Sequence, residues 1–348
     1  MTIRYPRPLR PGDTIGVTAP SSGVPSPLQR RLLHAADVVR AKGYDVRLGE
    51  TPTSAGVVSG PADRRAAELT AMLTDPAVRA VVPPWGGELA TDLLGRLDWD
   101  ALAADPTWLV GYSDASTLLL PLTLRTGVAT LHGQNLMDTP YEVPDGLLGW
   151  WEVAAAPQGE ALVQRSPRRH RSSGWDDWEA HPEASTWSLD VEGSWVRLDS
   201  GGGAGGDGPV DVGGRLIGGC VETVSLLAGT PYGDVAGFAA EHAPEGLVVY
   251  LDILEWEALE VARALWAMRH AGWFDAANAV LVSRTHAPDS DGFTQHDAVR
   301  DALGDLGIPL LADVECGHVP PYLALVNGAL ARVQHGPEAS VLTQRLVA

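Results

Sequence analysis

Three groups in this sequence have the types and settings for acyl-transfer chemistry: a serine on a tight turn, a histidine behind a glycine, and an acid closing an apolar run. The run Trp108-Leu109-Val110 stops at Gly111; Tyr112-Ser113-Asp114-Ala115-Ser116 follows, and apolar residues resume at Leu118-Leu119-Leu120. This pattern predicts a strand, a turn and a helix start, with Ser113 on the turn. Such a turn lifts a hydroxyl clear of the sheet edge and aims the first free N–H groups of the helix at the same spot. Gly111-x-Ser113-x-Ala115 departs from the nucleophile-elbow pattern at its last position, and a Gly-x-Ser before a helix also serves as a plain N-cap. A serine attacks only when a base takes its proton and a third group orients that base. Among ten histidines, His318 fits best, because it follows Gly317 just after an apolar stretch and Pro320-Pro321 stiffens the loop behind it. Asp252, at the end of Gly246–Leu251, supplies the acid, with Glu255 and Glu222 in reserve.

Other chemistries have weaker support. Trp85-Gly86-Gly87-Glu88 joins a strand to a helical stretch, and two glycines there either let the backbone approach a ligand or make a simple turn. His286, Asp289, Asp291 and His296 gather in sequence, but Pro288 and Gly292 mark a loop and no helix-spaced His-Glu-x-x-His is present. They read as surface residues, and no metal or other cofactor is expected. Cys316, two residues before His318, is the rival nucleophile. The two cysteines, Cys220 and Cys316, make no disulfide framework.

The elements that must position these groups alternate. Residues 13–20, 45–48, 79–82, 108–110 and 129–134 read as strands, with helices at 26–43, 61–73 and 89–97 between them. That alternation predicts a parallel sheet with right-handed crossovers, in the flavodoxin or Rossmann manner, which binds ligands at the ends of its strands. Residues 150–195 carry six of the twelve tryptophans with little periodicity, and 200–206 is nearly all glycine, a flexible loop or linker. Strands then recur at 215–220, 246–251, 279–282, 309–314 and 329–333, with helices at 221–227, 256–271 and 292–303. The expected organisation is α/β throughout: an N-terminal parallel-sheet domain at 1–165, a Trp/Gly-rich connection at 166–210, and a smaller C-terminal α/β domain at 211–348, with the active site between them.

With 25 basic against 44 acidic side chains among 348 residues, the formal charge is -19. That balance argues against nucleic acid and anionic membranes as partners, since phosphate binding needs basic patches. No apolar run approaches the roughly 20 residues that span a bilayer, and the N-terminal residues lack a hydrophobic signal core, so a cytoplasmic location is the expectation.

The ordered blocks Gly12–Ser22, Trp85-Gly86-Gly87, Gly111-Tyr112-Ser113-Asp114, Gly218-Gly219 with Gly229-Thr230-Pro231, the strand before Asp252 with its long helix, and Gly317-His318 resemble the LD-carboxypeptidase family of serine peptidases, of which the microcin C immunity proteins form a branch. The resemblance covers nearly the whole chain. It implies a cytoplasmic, commonly dimeric enzyme without cofactor, with a Ser-Glu-His triad split between two domains. Carried over, Ser113 is the nucleophile, His318 the base, and the N–H of Asp114 with that of Gly86 or Gly87 the oxyanion hole. Where the family has glutamate this chain has Asp252, one methylene shorter, which leaves Glu255 open as a substitute and reduced activity open as a consequence. The implied reaction cleaves a C-terminal amide, either an L,D-bond in murein peptides or the amide of a peptidyl-nucleotide antibiotic. The tryptophan-rich segment resembles the cleft loop of the immunity branch, with Trp175 and Trp178 as stacking or packing residues, while Glu88 and Glu222 bind a substrate amine or are structural. A ligand-binding protein without catalysis is the reading from another class.

Overall fold

The computed structural model describes residues 2–54, 56–199 and 208–348; the glycine run at 200–206 lies outside the described residues. In the first half of the chain the strands are β1 (Thr14–Val17), β2 (Asp45–Leu48), β3 (Val78–Val81), β4 (Trp108–Gly111) and β5 (Thr130–His132). The tryptophan-rich stretch contributes β6 (Ala161–Arg165), β7 (Arg169–His170), β8 (Val191–Glu192) and β9 (Val196–Arg197). The remainder supplies β10 (Val210–Cys220), β11 (Leu247–Asp252), β12 (Ala277–Ser283), β13 (Leu310–Val314), β14 (Leu325–Asn327), β15 (Leu330–His335) and β16 (Ser340–Arg345).

The first sheet runs β14-β5-β4-β3-β1-β2. Its strands β1 to β5 are parallel, and β14 joins β5 antiparallel at the edge. β3, β4 and β5 are buried along their whole length, as strands covered by helices on both faces must be. One such helix, Gln29–Ala41, buries Leu32, Ala35, Ala36 and Val39, one face at helical spacing. The order reverses between β1 and β3, so the loops after those strands diverge and leave a crevice at their carboxyl ends. Ser21-Ser22 and Trp85-Gly86-Gly87 sit in those loops, and Ser113 follows the neighbouring β4.

The second sheet runs β6-β16-β15-β10-β11-β12-β13-β9. The eleven residues of β10 pair antiparallel with β15 over their first half and parallel with β11 over their second. The fold is therefore mixed α/β in two sheet-centred halves. The division expected from sequence does not follow the sheets, however. β6, placed in 1–165, hydrogen-bonds to β16 of the second sheet, and β14, placed in 211–348, completes the first. The second sheet is thereby the wider one. The partners of both edge strands are remote in sequence, so no local pattern announces them. The stretch expected as a helix at 89–97 is a 3-10 helix, Ala90–Arg96, since Thr91 and Gly95 are poor α-formers. One apolar core runs through both halves, joining Ile15 and Val17 of β1 to Val249 and Leu251 of β11. Among the described residues no helix is long and apolar enough to cross a membrane.

Candidate active site

At the end of β4 the chain reverses through Gly111, whose φ of 149° and closeness to Asn135 Oδ1 exclude a side chain. Ser113 follows with φ of 63°, a left-handed conformation that costs a non-glycine residue of the order of 1–3 kcal/mol. The turn Ser113–Ala115 leads into the helix Ser116–Thr126. Asp114 in this first turn has no acceptor for its N–H within the helix. Its carboxylate is buried and points elsewhere: Oδ2 accepts from Ser21 Oγ and, at 2.8 Å, from the N–H of Ala90, and Oδ1 from Thr117 Oγ1 at 3.2 Å. Asp114 thus ties the loops after β1, β3 and β4 together around Ser113.

Gly86 lies directly opposite. A Cβ there would stand 2.7 Å from both Cβ and Oγ of Ser113 and 3.2 Å from the amide nitrogen of Asp114. The Gly86 backbone therefore lies close beside the Ser113 hydroxyl and the Asp114 amide nitrogen. Gly87, at φ of 142°, packs against the hydroxyls of Ser21 and Ser22. Gly86→Ala is expected to displace Ser113, since the added Cβ would stand 2.7 Å from its Cβ and Oγ, and to lower kcat of the hydrolysis proposed below about 10²-fold, the scale on which misplacing a reacting group acts. Steady-state kinetics beside a thermal melt separates this from unfolding.

The second sheet brings the acid and the base. Asp252 closes β11 and is fully buried, and His318 follows β13 in a loop continuing through a cis Pro320–Pro321 bond. His318 Nδ1 lies 2.9 Å from Asp252 Oδ1. Gly317 is required for that approach, because a Cβ there would stand 2.5 Å from Asp252 Oδ1 and from Ser283 Oγ. His318 Nε2 is buried and has no hydrogen-bond partner among the described residues. Burial alone would push the imidazole down; the Asp252 charge and hydrogen bond, with smaller contributions from Glu222 and Asp138, outweigh it and hold His318 above its ordinary range.

The reserve acids do other work. Glu222 Oε1 accepts from the N–H groups of Leu254, Glu255 and Trp256 at 2.9, 3.0 and 3.3 Å, pinning the loop beyond Asp252. Glu222 is thus a loop anchor rather than a wall of the cavity, and Glu255 is exposed on that loop. Glu88 is also exposed and outside the cavity lining; burial and the nearby Asp114 and Glu255 charges raise its carboxyl pKa.

Ser113, His318, Gly86 and Gly87 line one cavity of about 460 Å³. Trp175, 66% exposed, stands edge-on to His318 with ring centroids 6.5 Å apart. Trp178 is half-buried, and its indole donates to Tyr141 Oη at 2.8 Å. Trp187 stacks on Tyr141 at 3.5 Å. Sequence reasoning missed Tyr112, Tyr141, Trp187, Asp138 and Arg171 on these walls. Tyr112 adjoins Ser113, which could have flagged it, but the others lie where no periodic pattern runs. Arg171 pairs with Asp176 at 2.7 Å and its guanidinium lies over Trp187. Burial pushes the Asp138 carboxyl up to about 6, against the opposing charge of Arg31.

Cys316 is buried outside this cavity with its thiol beside the carbonyl of Leu251, and burial with the Asp252 and Glu315 charges raises its pKa well above the usual thiol range. It is a poor nucleophile for the site. The loop set His286, Asp289, Asp291 and His296 does not converge among the described residues: Asp289 accepts from the Gln295 N–H and His296 faces Asp313 at 3.3 Å. The cavity thus brings together a serine in a left-handed conformation and an imidazole held by a buried carboxylate, the residue types that acyl transfer to a hydroxyl uses.

Residues 15–133 match the N-terminal domain of LD-carboxypeptidases and residues 213–333 match their C-terminal domain. The chain is 24% identical to the microcin C7 self-immunity protein MccF of Escherichia coli, over 92% of this chain and 90% of that protein. It is likewise 24% identical to a Bacillus subtilis protein named as a probable murein peptide carboxypeptidase, over 97% of this chain and 93% of the relative. A solved structure of MccF in complex with aspartyl sulfamoyl adenosine superposes with a TM-score of 0.79 at 20% identity, covering 98% of this chain and 99% of that one.

Proposed function

Because the chain belongs to the LD-carboxypeptidase family, we propose that it is a serine-type carboxypeptidase or amidase that hydrolyses a C-terminal amide with Ser113, His318 and Asp252. The observation that carries this reading is the 2.9 Å contact from Asp252 to His318 Nδ1, which leaves Nε2 of the same ring buried without a partner among the described residues, in a residue that lines the same cavity as Ser113. In this mechanism Ser113 Oγ attacks the carbonyl carbon while His318 Nε2 takes the hydroxyl proton. The Asp114 N–H and that of Gly86 or Gly87 stabilise the tetrahedral oxyanion. His318 then delivers its proton to the departing nitrogen as the C–N bond breaks. Water, deprotonated by His318, attacks the ester, and Ser113 regains its proton as the acid leaves. Asp252 keeps the Nδ1 proton in place and offsets the imidazolium charge.

The substrate proposed first is a murein peptide ending in a D-amino acid, as the name of the Bacillus subtilis relative suggests. Arg171 stands on the cavity wall, held by Asp176 at 2.7 Å, and a terminal carboxylate would share its guanidinium. A second reading, hydrolysis of a peptidyl- or aminoacyl-nucleotide, is favoured by Trp175, Trp178 and Trp187 around the same cavity, since aromatic faces suit bases. Assaying the purified protein against an L,D-linked murein tetrapeptide and an aminoacyl sulfamoyl adenosine, with Ser113→Ala as control, tests both. Hydrolysis of either by the parent and not by the variant is expected, as is labelling of Ser113 by a serine-directed phosphonate. Binding without turnover or labelling would leave the ligand-binding reading.

His318 must be neutral to act as base, so activity falls as pH drops through its pKa. The Asp252 contact raises that value, so the acid limb of kcat/KM is expected above the ordinary histidine value of 6.5. A limb well below that value, measured with a neutral substrate, would contradict His318 as the base.

A further inference from the structure

β10 and β11 end side by side, with Cys220 in register with Asp252. His318 comes against the same strand ends, so that Cys220 Sγ, an Asp252 carboxylate oxygen and a His318 ring nitrogen all lie within 4.8 Å of one another, all three residues buried. The proposed hydrolytic mechanism uses two of these groups and has no use for the thiol. We propose that Cys220, Asp252 and His318 form an inhibitory site for a thiophilic divalent cation of the zinc class, which switches hydrolysis off when it binds.

The donor set is one sulfur, one nitrogen and one oxygen, which suits zinc and disfavours magnesium or calcium. Metal–ligand bonds of roughly 2.0–2.3 Å require the three atoms to draw together by about 1 Å. His318 is carried by a loop and Cys220 and Asp252 by adjacent strand ends, so the contraction falls mainly on the loop. A second observation favours a ligand: Asp252 Oδ2 is buried with no hydrogen-bond partner among the described residues, a spare donor on the same carboxylate. The Cys220 thiol donates to Glu222 Oε2 at 3.3 Å, and burial with the Asp252 and Glu222 charges raises its pKa well above the usual thiol range, so it is a bound dication that would hold it as thiolate. Asp252 and Glu222 place negative charge here, which a buried dication would offset. His318 borders two cavities, of about 460 and 410 Å³, that Cys220 and Asp252 do not line, so entry of the ion requires the His318 loop to move.

The proton balance explains the inhibition. Nδ1 is the ring nitrogen beside Asp252. A cation bound there replaces the Nδ1 proton, which passes to Nε2, while the Cys220 thiol releases its proton to solvent. The metal then has a thiolate, a carboxylate and a neutral imidazole, with water in the fourth position. An Nε2 that carries a proton accepts none from Ser113. This inhibitory consequence rests on the proposed hydrolytic mechanism, whereas the binding itself does not.

Two measurements keep these apart. Cobalt(II) titrated into the Ser113→Ala protein is expected to give a thiolate-to-metal charge-transfer band and tetrahedral visible bands, lost on adding Cys220→Ala and displaced by zinc. In the parent protein zinc is expected to inhibit hydrolysis reversibly, with chelator restoring it, and Cys220→Ala to raise the half-inhibitory zinc concentration at least about tenfold, the scale on which losing a metal-site group acts. Cys220→Ser, closer in volume, serves if the alanine variant folds poorly. Absence of the charge-transfer band at excess cobalt, or zinc inhibition unchanged in both Cys220 variants, overturns the proposal.

Discussion

Ser113→Ala is expected to lower kcat by about 10⁴-fold or more while leaving substrate affinity within a few-fold, a loss of about 5.5 kcal/mol of transition-state stabilisation. The size follows from the proposed mechanism, in which loss of the hydroxyl prevents any acyl-enzyme and leaves only the oxyanion donors and binding to assist water. The selectivity follows from the structure. Ser113 donates no side-chain hydrogen bond among the described residues, and alanine tolerates φ of 63° no worse than serine does, so the fold loses nothing. Kinetics, calorimetric binding and a melt on the same preparation check all three statements. A residual rate within tenfold of the parent would move the nucleophile elsewhere, and Cys316→Ala would then be the variant to make.

Asp252→Asn is expected to have nearly the same effect on kcat, roughly 10⁴-fold, although it removes no heavy-atom volume. Asp252 Oδ1 accepts from Nδ1 at 2.9 Å in a fully buried position. An asparagine amide rotated to donate to Nδ1 forces the ring proton onto Nε2, and the base becomes unable to take the Ser113 proton. Rotated the other way it keeps the tautomer but leaves the imidazolium without its countercharge. The pH profile distinguishes this from a packing defect. Burial already lowers the His318 pKa, and the Asp252 charge is the largest opposing influence, so its removal is expected to shift the acid limb downward. A variant with full activity and an unmoved limb would mean that Glu255 or another carboxylate orients the base.

Local pattern was enough to place most of the strands and helices that carry the site. Ile15 to Val17, Ala80 to Val82 and Trp108 to Val110 are short apolar runs between helices of regular spacing, and a buried parallel sheet satisfies such a pattern. The turn at Ser113 was legible because glycine, serine and the following leucines each have a local conformational reason to be there. The last strand, β16, and the helix Val235–His242 went unread. The first alternates only weakly, and the second, Val-Ala-Gly-Phe-Ala-Ala-Glu-His, is nearly apolar all round and carries an interior glycine.

The sequence by itself determined the chemical types: a serine held on a turn, a histidine behind a glycine, an acid closing a strand, and the alternation that makes the sheets. Only the tertiary structure decided which acid meets the histidine, since Asp252, Glu222 and Glu255 are equally acidic as letters but one is fully buried at 2.9 Å from Nδ1, one is spent on three backbone N–H groups and one faces solvent. It also decided which sheets β6 and β14 complete, and which of the many tryptophans stand around the cavity. The physical reason is common to all of these. Backbone conformation and hydrophobic periodicity act between near neighbours and are written locally, whereas a hydrogen bond, a desolvated charge or a cavity wall depends on groups that the chain brings together from opposite ends.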